Sequence, residues 1–134
     1  MSEPQHPIIQ LLKRDPRYKI DAYQFVRDAL AYAQEELGMG QAAEAEATGS
    51  EPHLTGQQLC EAIRRFALEQ FGLLARVVLG NWGVRSTSDF GEIVYNLIDV
   101  GLMKKSETDR REDFDQVYDF EEAFERHFRI SGSP

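Results

Sequence analysis

Apolar side chains recur along this chain at helical spacing, in stripes divided by short breaks. Over 21–37, Ala22, Phe25, Val26, Ala29, Leu30, Ala33 and Leu37 fall three or four residues apart and share one helix face. Asp21 stands where an N-cap belongs, Gln24 can reach back to its amide, and Gly38 supplies a left-handed stop. Tyr23 and Tyr32 lie toward the edges of that stripe. A second long helix follows Thr55, with Gln58 at the capping-box position, and is expected to bury Leu59, Ile63, Phe66, Ala67 and Gln70. Gly72 breaks it. Leu73, Leu74, Val77, Val78 and Leu79 continue as a short helix with almost no polar face, a pattern that predicts burial on most sides. Asn81-Trp82-Gly83 ends it. Ser86 and Thr87 can cap the next helix, where Phe90, Ile93, Val94, Leu97 and Ile98 give the cleanest amphipathic pattern, and Gly101 stops it.

The remaining stretches are less regular. Residues 1–7 hold two prolines and a histidine and read as a frayed leader. Ile8, Ile9, Leu11 and Leu12 make one apolar helical turn that ends at Asp15-Pro16, because proline disfavours helical geometry in the residue before it. Residues 38–54 are dominated by Gly, Ala, Glu, Thr and Ser; they offer too little apolar area to offset their ordering entropy and read as a flexible linker inside a single domain, 1–134. Lys104 to Asp115 is a charged excursion from which Gln116-Val117-Tyr118 can return as a strand, predicting a small β-hairpin. Asp119 then caps a last helix with Phe120, Ala123, Phe124, His127 and Phe128 on one face. The expected fold is mainly α, about five helices with a small β-hairpin, and the order from Leu73 to Tyr118 is similar to a winged helix-turn-helix core.

Charge weighs against the DNA function of that shape. In a winged helix the second helix of the pair enters the major groove, where Arg, Lys, Asn or Gln read bases and phosphates. Here that helix presents Asp89, Glu92 and Asp99 and carries no cation before Lys104. Lys104, Lys105, Arg110 and Arg111 of the hairpin are offset by Glu107, Asp109, Glu112 and Asp113. The whole chain has a net charge of −8, a field that repels nucleic acid and anionic membranes. Hydrophobic residues at 42% and charged residues at 28% otherwise belong to an ordinary globular domain. A single cysteine, Cys60, rules out an intramolecular disulfide and reads as a small buried hydrophobe. With no signal segment and no apolar run long enough for a membrane span, the cytoplasm is the expected compartment.

Several stretches carry a resemblance: His53-Leu54-Thr55-Gly56-Gln57 through Arg64, Phe66-Ala67-Leu68-Glu69-Gln70-Phe71-Gly72, and Trp82-Gly83-Val84 through Asp89-Phe90-Gly91-Glu92-Ile93-Val94. Together with Gly101-Leu102-Met103 and Val117-Tyr118-Asp119-Phe120, they resemble an uncharacterised family of small bacterial proteins. The resemblance implies a bacterial origin and a complete domain, and it implies no activity.

Catalytic signatures are missing: no Gly-rich phosphate loop, zinc-binding His-Glu-x-x-His helix or nucleophile elbow, and His6, His53 and His127 are scattered. The carboxylates from Glu107 to Glu125 alternate with arginines and aromatics as on a solvated face, so neither metal nor cofactor is expected. The leading candidate surface is the stripe Asp89, Glu92, Asn96 and Asp99 with Tyr95 beside it, a face for a protein partner or for self-association. Gly91 within the same helix implies close approach, either of a partner or of another part of the domain. Lys13, Arg14, Arg17 and Lys19 form a weaker candidate for phosphate or nucleic acid, and Arg64, Arg76 and Trp82, with Glu92, could line a ligand pocket. The sequence thus favours a non-catalytic cytoplasmic interaction module over a nucleic-acid-binding regulator or a small-ligand protein.

Overall fold

Proline sets both ends of the first helix. Pro7 begins α1 (Pro7–Arg14) at a position where its missing N–H costs nothing, and His6 caps it, Nδ1 accepting the Ile8 amide at 3.1 Å. Pro16 then forces Asp15 into extended geometry and the helix ends. The computed structural model describes residues 6–38, 54–104 and 110–126. Residues 1–5, most of the linker (39–53, His53 included), Lys105, Glu107 and Asp109 of the expected hairpin, and His127 and Phe128 of the expected last helix lie outside them.

Two sixteen-residue helices, α2 (Ile20–Glu35) and α3 (Gly56–Phe71), pack along one another, with Phe25 stacked on Phe66 and Tyr32 tilted against it. The Thr55–Gln58 capping box forms as expected: the Gln58 amide donates to the Thr55 hydroxyl and the Thr55 amide to the Gln58 side chain. Asp21 is not the cap of α2; Lys19 precedes the first turn, and Asp21 lies inside it. Leu54, at the edge of the expected linker, belongs to the core, whereas Gln70 is exposed. After Gly72, a 3-10 turn (Gly72–Leu74) leads into α4 (Ala75–Asn81), and Gly83 at φ 95° turns the chain into α5 (Thr87–Asp99).

Both faces of α5 are covered. Phe90, Ile93, Val94 and Leu97 face the core, and α2 and a 3-10 turn over Arg111–Phe114 pack against the helix. Phe114 drops into a notch between α3 and α5, where the missing side chains of Gly56 and Gly91 make room. A Cβ on Gly91 would stand 2.9 Å from the Phe114 Cβ, and one on Gly56 would stand 2.9 Å from the Asp113 Cβ. The close approach that Gly91 implied is therefore made within the domain.

The β-hairpin is a correction. Among the described residues no strand forms: the chain after Arg110 makes the 3-10 turn, reverses at Gln116 (φ 50°) and enters a π-helical turn over Glu121–Arg126. The Val117 amide, which a strand would have paired with backbone, donates instead to the buried Thr87 hydroxyl at 3.1 Å. Tyr118 donates to the Cys60 carbonyl at 2.8 Å. The winged arrangement falls with it, because the outer face of α5, which a major groove would have to receive, is occupied by its own chain. The fold of the described residues is a helical bundle. No described helix is long and apolar enough to cross a membrane.

Candidate functional site

The polar chemistry concentrates where the α1–α2 connection, residues 15–19, crosses α5. Proline leaves Asp15 extended, and its carboxylate accepts from Arg17 Nη2 at 2.7 Å, Arg17 Nε at 2.9 Å and Asn96 Nδ2 at 3.0 Å. Asn96 also donates to the Tyr23 hydroxyl at 3.1 Å. Two turns away along α5, the Tyr18 hydroxyl donates to Asp89 at 2.5 Å, while the second Asp89 oxygen accepts the amides of Arg85 and Ser86. Glu92 faces Arg17 at 3.3 Å and Arg111 at 3.5 Å. Arg111 lies over the Tyr95 ring, and Arg14 meets Asp99 at 3.5 Å. The connection is tied down further: the Lys19 amide donates to the Trp82 carbonyl, and the Arg17 carbonyl occupies the space a Gly83 Cβ would need.

The acidic stripe and the basic patch, two separate surfaces in the sequence, thus meet each other. Asp89 caps α5 and anchors Tyr18, Asn96 is 8% exposed, and of the stripe only Asp99 stands well clear into solvent. Lys13 and Lys19 remain on the surface, but Arg14 and Arg17 are turned onto α5. The interlock shifts titrations accordingly. Hydrogen bonds from Arg17 hold the Asp15 carboxyl well below the usual range, and burial together with Asp89 raises the Tyr18 phenol. Burial raises Tyr23 as well.

The expected ligand pocket does not assemble. Arg64 pairs with Glu61 at 2.6 Å, Arg76 pairs with Glu125 at 3.0 Å, and Trp82 packs on Phe25 and Phe71, while Glu92 belongs to the interlock. These are four different neighbourhoods. Cys60 is fully buried, and desolvation pushes its thiol up to about 12, which leaves it no thiolate character near neutral pH. Among the described residues no three His, Cys, Asp or Glu side chains converge as a metal ion requires.

Trp82 does line a groove, between α2 and α3, of about 460 Å³. Phe25, Phe66, Phe71 and Trp82 form its floor, with ring centroids 5.1 to 5.7 Å apart from Phe25 to Phe66 and from Phe71 to Trp82. Ile20, Asp21, Gln24, Asp28 and Gln70 make the rim. From Phe71 the chain passes directly into Leu73, Leu74 and Val77, which are 65%, 63% and 58% exposed. This corrects the expectation of burial. In α4 only Ala75 and Leu79, one turn apart, face the core; Val77 projects from the opposite side, and the turn at Gly72 (φ 55°) carries Leu73 and Leu74 off the body. Residue patterning missed this surface because an all-apolar helix shows no preferred face. The chain matches no protein-family model, no curated protein and no solved structure.

Proposed function

We propose that this protein is an interaction module whose binding face is Leu73, Leu74 and Val77 with the adjoining aromatic groove. The observation that carries the reading is the exposure of those three side chains within five residues. Five large hydrophobics are exposed among the described residues; three form this run and a fourth, Ile20, lines the groove. Scattered apolar residues need no explanation, but a concentration of them costs solubility unless something docks there. We read the acidic stripe, Asp99 apart, as internal structure, since reversing the charge of Asp89 would remove the cap of α5 and the anchor of Tyr18 together. Nucleic acid is disfavoured on the same ground: Arg14, Arg17 and Arg111 already face carboxylates.

Photo-crosslinking tests the proposal. A benzophenone side chain placed at Leu74 or Val77 is expected to give discrete protein adducts in living cells, and one placed at Asp99 to give none. Adducts from position 99 alone, or indistinguishable labelling at all three, would overturn it.

A further inference from the structure

We propose that the groove between α2 and α3 receives a cationic amphipathic helix of a partner protein, its apolar side chains on the ring floor and its Lys or Arg at Asp21 and Asp28. This rests on the interaction reading above and names the chemistry of the partner.

The floor decides what kind of group lies on it. Phe25 is 5.1 Å from Phe66, 5.6 Å from Phe71 and 5.4 Å from Trp82, so the rings are in contact with one another. They make one continuous apolar surface. A closed apolar floor suits aliphatic or aromatic side chains laid across it. The rim decides the charge. Asp21 and Asp28 are both exposed and stand seven residues apart on α2, two helical turns or about 10 Å. Gln24 lies between them and donates to Asp28 at 2.9 Å, and among the described residues no cation lines this groove. A helix bearing Lys or Arg two turns apart matches that spacing, and helix-in-groove docking needs no exposed strand edge. The net charge of −8 steers such a partner in. A second copy of this chain fits badly, because a two-fold contact through the groove would set Asp21 and Asp28 against their own like charges.

Trp82 is the chain's single tryptophan, so its fluorescence reports occupancy directly. The probes are two synthetic fourteen-residue amphipathic helices of equal apolar face, one Leu/Lys and one Leu/Glu. The Leu/Lys peptide is expected to shift Trp82 emission and to bind at least about tenfold more tightly than the Leu/Glu peptide. Asp21→Asn with Asp28→Asn is expected to weaken it by about fivefold or more, whereas Glu35→Gln with Glu36→Gln, an equal charge change at exposed positions away from the groove, leaves it nearly intact. Circular dichroism confirms that both double variants fold. Equal weakening by the two variants means charge attraction without a site and overturns the proposal. Equal binding of both peptides, abolished by Leu74→Ser with Val77→Ser, overturns the cationic assignment while the interaction reading stands. No response to either peptide overturns the proposal and leaves the interaction reading to the cross-linking experiment. A dimer in sedimentation that excludes the peptide also overturns it.

Discussion

Asp15 joins more of the molecule than any neighbour in sequence would suggest. Its side chain is 14% exposed and holds Arg17 and Asn96, so it links the α1–α2 connection to α5. The charge is what matters: Arg17 lowers its folded-state pKa below the unfolded value near 4, so the carboxylate contributes stability above that pH and loses it as acid protonates the folded state. Asp15→Asn is therefore expected to cost about 2 kcal/mol at neutral pH, the scale of hydrogen bonds to a charged group. Urea titrations should show the gap from the parent narrowing steadily as pH falls below about 4. A gap that stays constant down to pH 2 would mean that the carboxylate's charge contributes nothing. Sequence offered half of this residue's role. Pro16 made it the end of α1, a local effect visible from one neighbour, whereas Asn96 is 81 positions away and nothing in the sequence paired the two.

At the scale of elements, the notch that holds Phe114 explains why a glycine interrupts the cleanest helix in the chain. Alanine at position 91 would gain up to about 1 kcal/mol of helix propensity, but its Cβ would overlap the Phe114 side chain, and such overpacking costs about 1–3 kcal/mol. Gly91→Ala is expected to destabilise by about 1 kcal/mol in the native background and to become neutral or stabilising when Phe114→Ala has emptied the notch. A double-mutant cycle from chemical unfolding measures that reversal, and additive effects would refute the wedge. The helices themselves were legible because their signals are local: the Thr55–Gln58 box, the stop at Gly72 and the stripe from Phe90 to Leu97 each declare themselves within a few residues. What lies on a helix's polar face is not local. The stripe from Asp89 to Asp99 looked solvent-facing, and the patch from Lys13 to Lys19 looked like a second site, because residue spacing cannot show that the arginines of one would lie on the carboxylates of the other. The hairpin failed for a related reason: Gln116-Val117-Tyr118 has strand-like composition, but its backbone found a side-chain partner in Thr87.

For the molecule as a whole, the question is what keeps Leu73, Leu74 and Val77 apolar. If they belonged to the core, their loss would unfold the chain, since each buried large-to-small change costs about 2–5 kcal/mol. They are more than half exposed, and the cation beside them, Arg76, pairs with Glu125 while Ala75 and Leu79 do the packing. Replacing all three by serine is accordingly expected to change the unfolding free energy by less than about 1 kcal/mol in total, within the range of ordinary surface substitutions. Leu79→Ser at the buried position two residues on serves as the contrast and should be severely destabilising. If the triple variant keeps its stability but loses its peptide binding, these side chains are held on the surface for a partner. Should it unfold like Leu79→Ser, the same residues would be structural, and the binding face would have to be sought elsewhere.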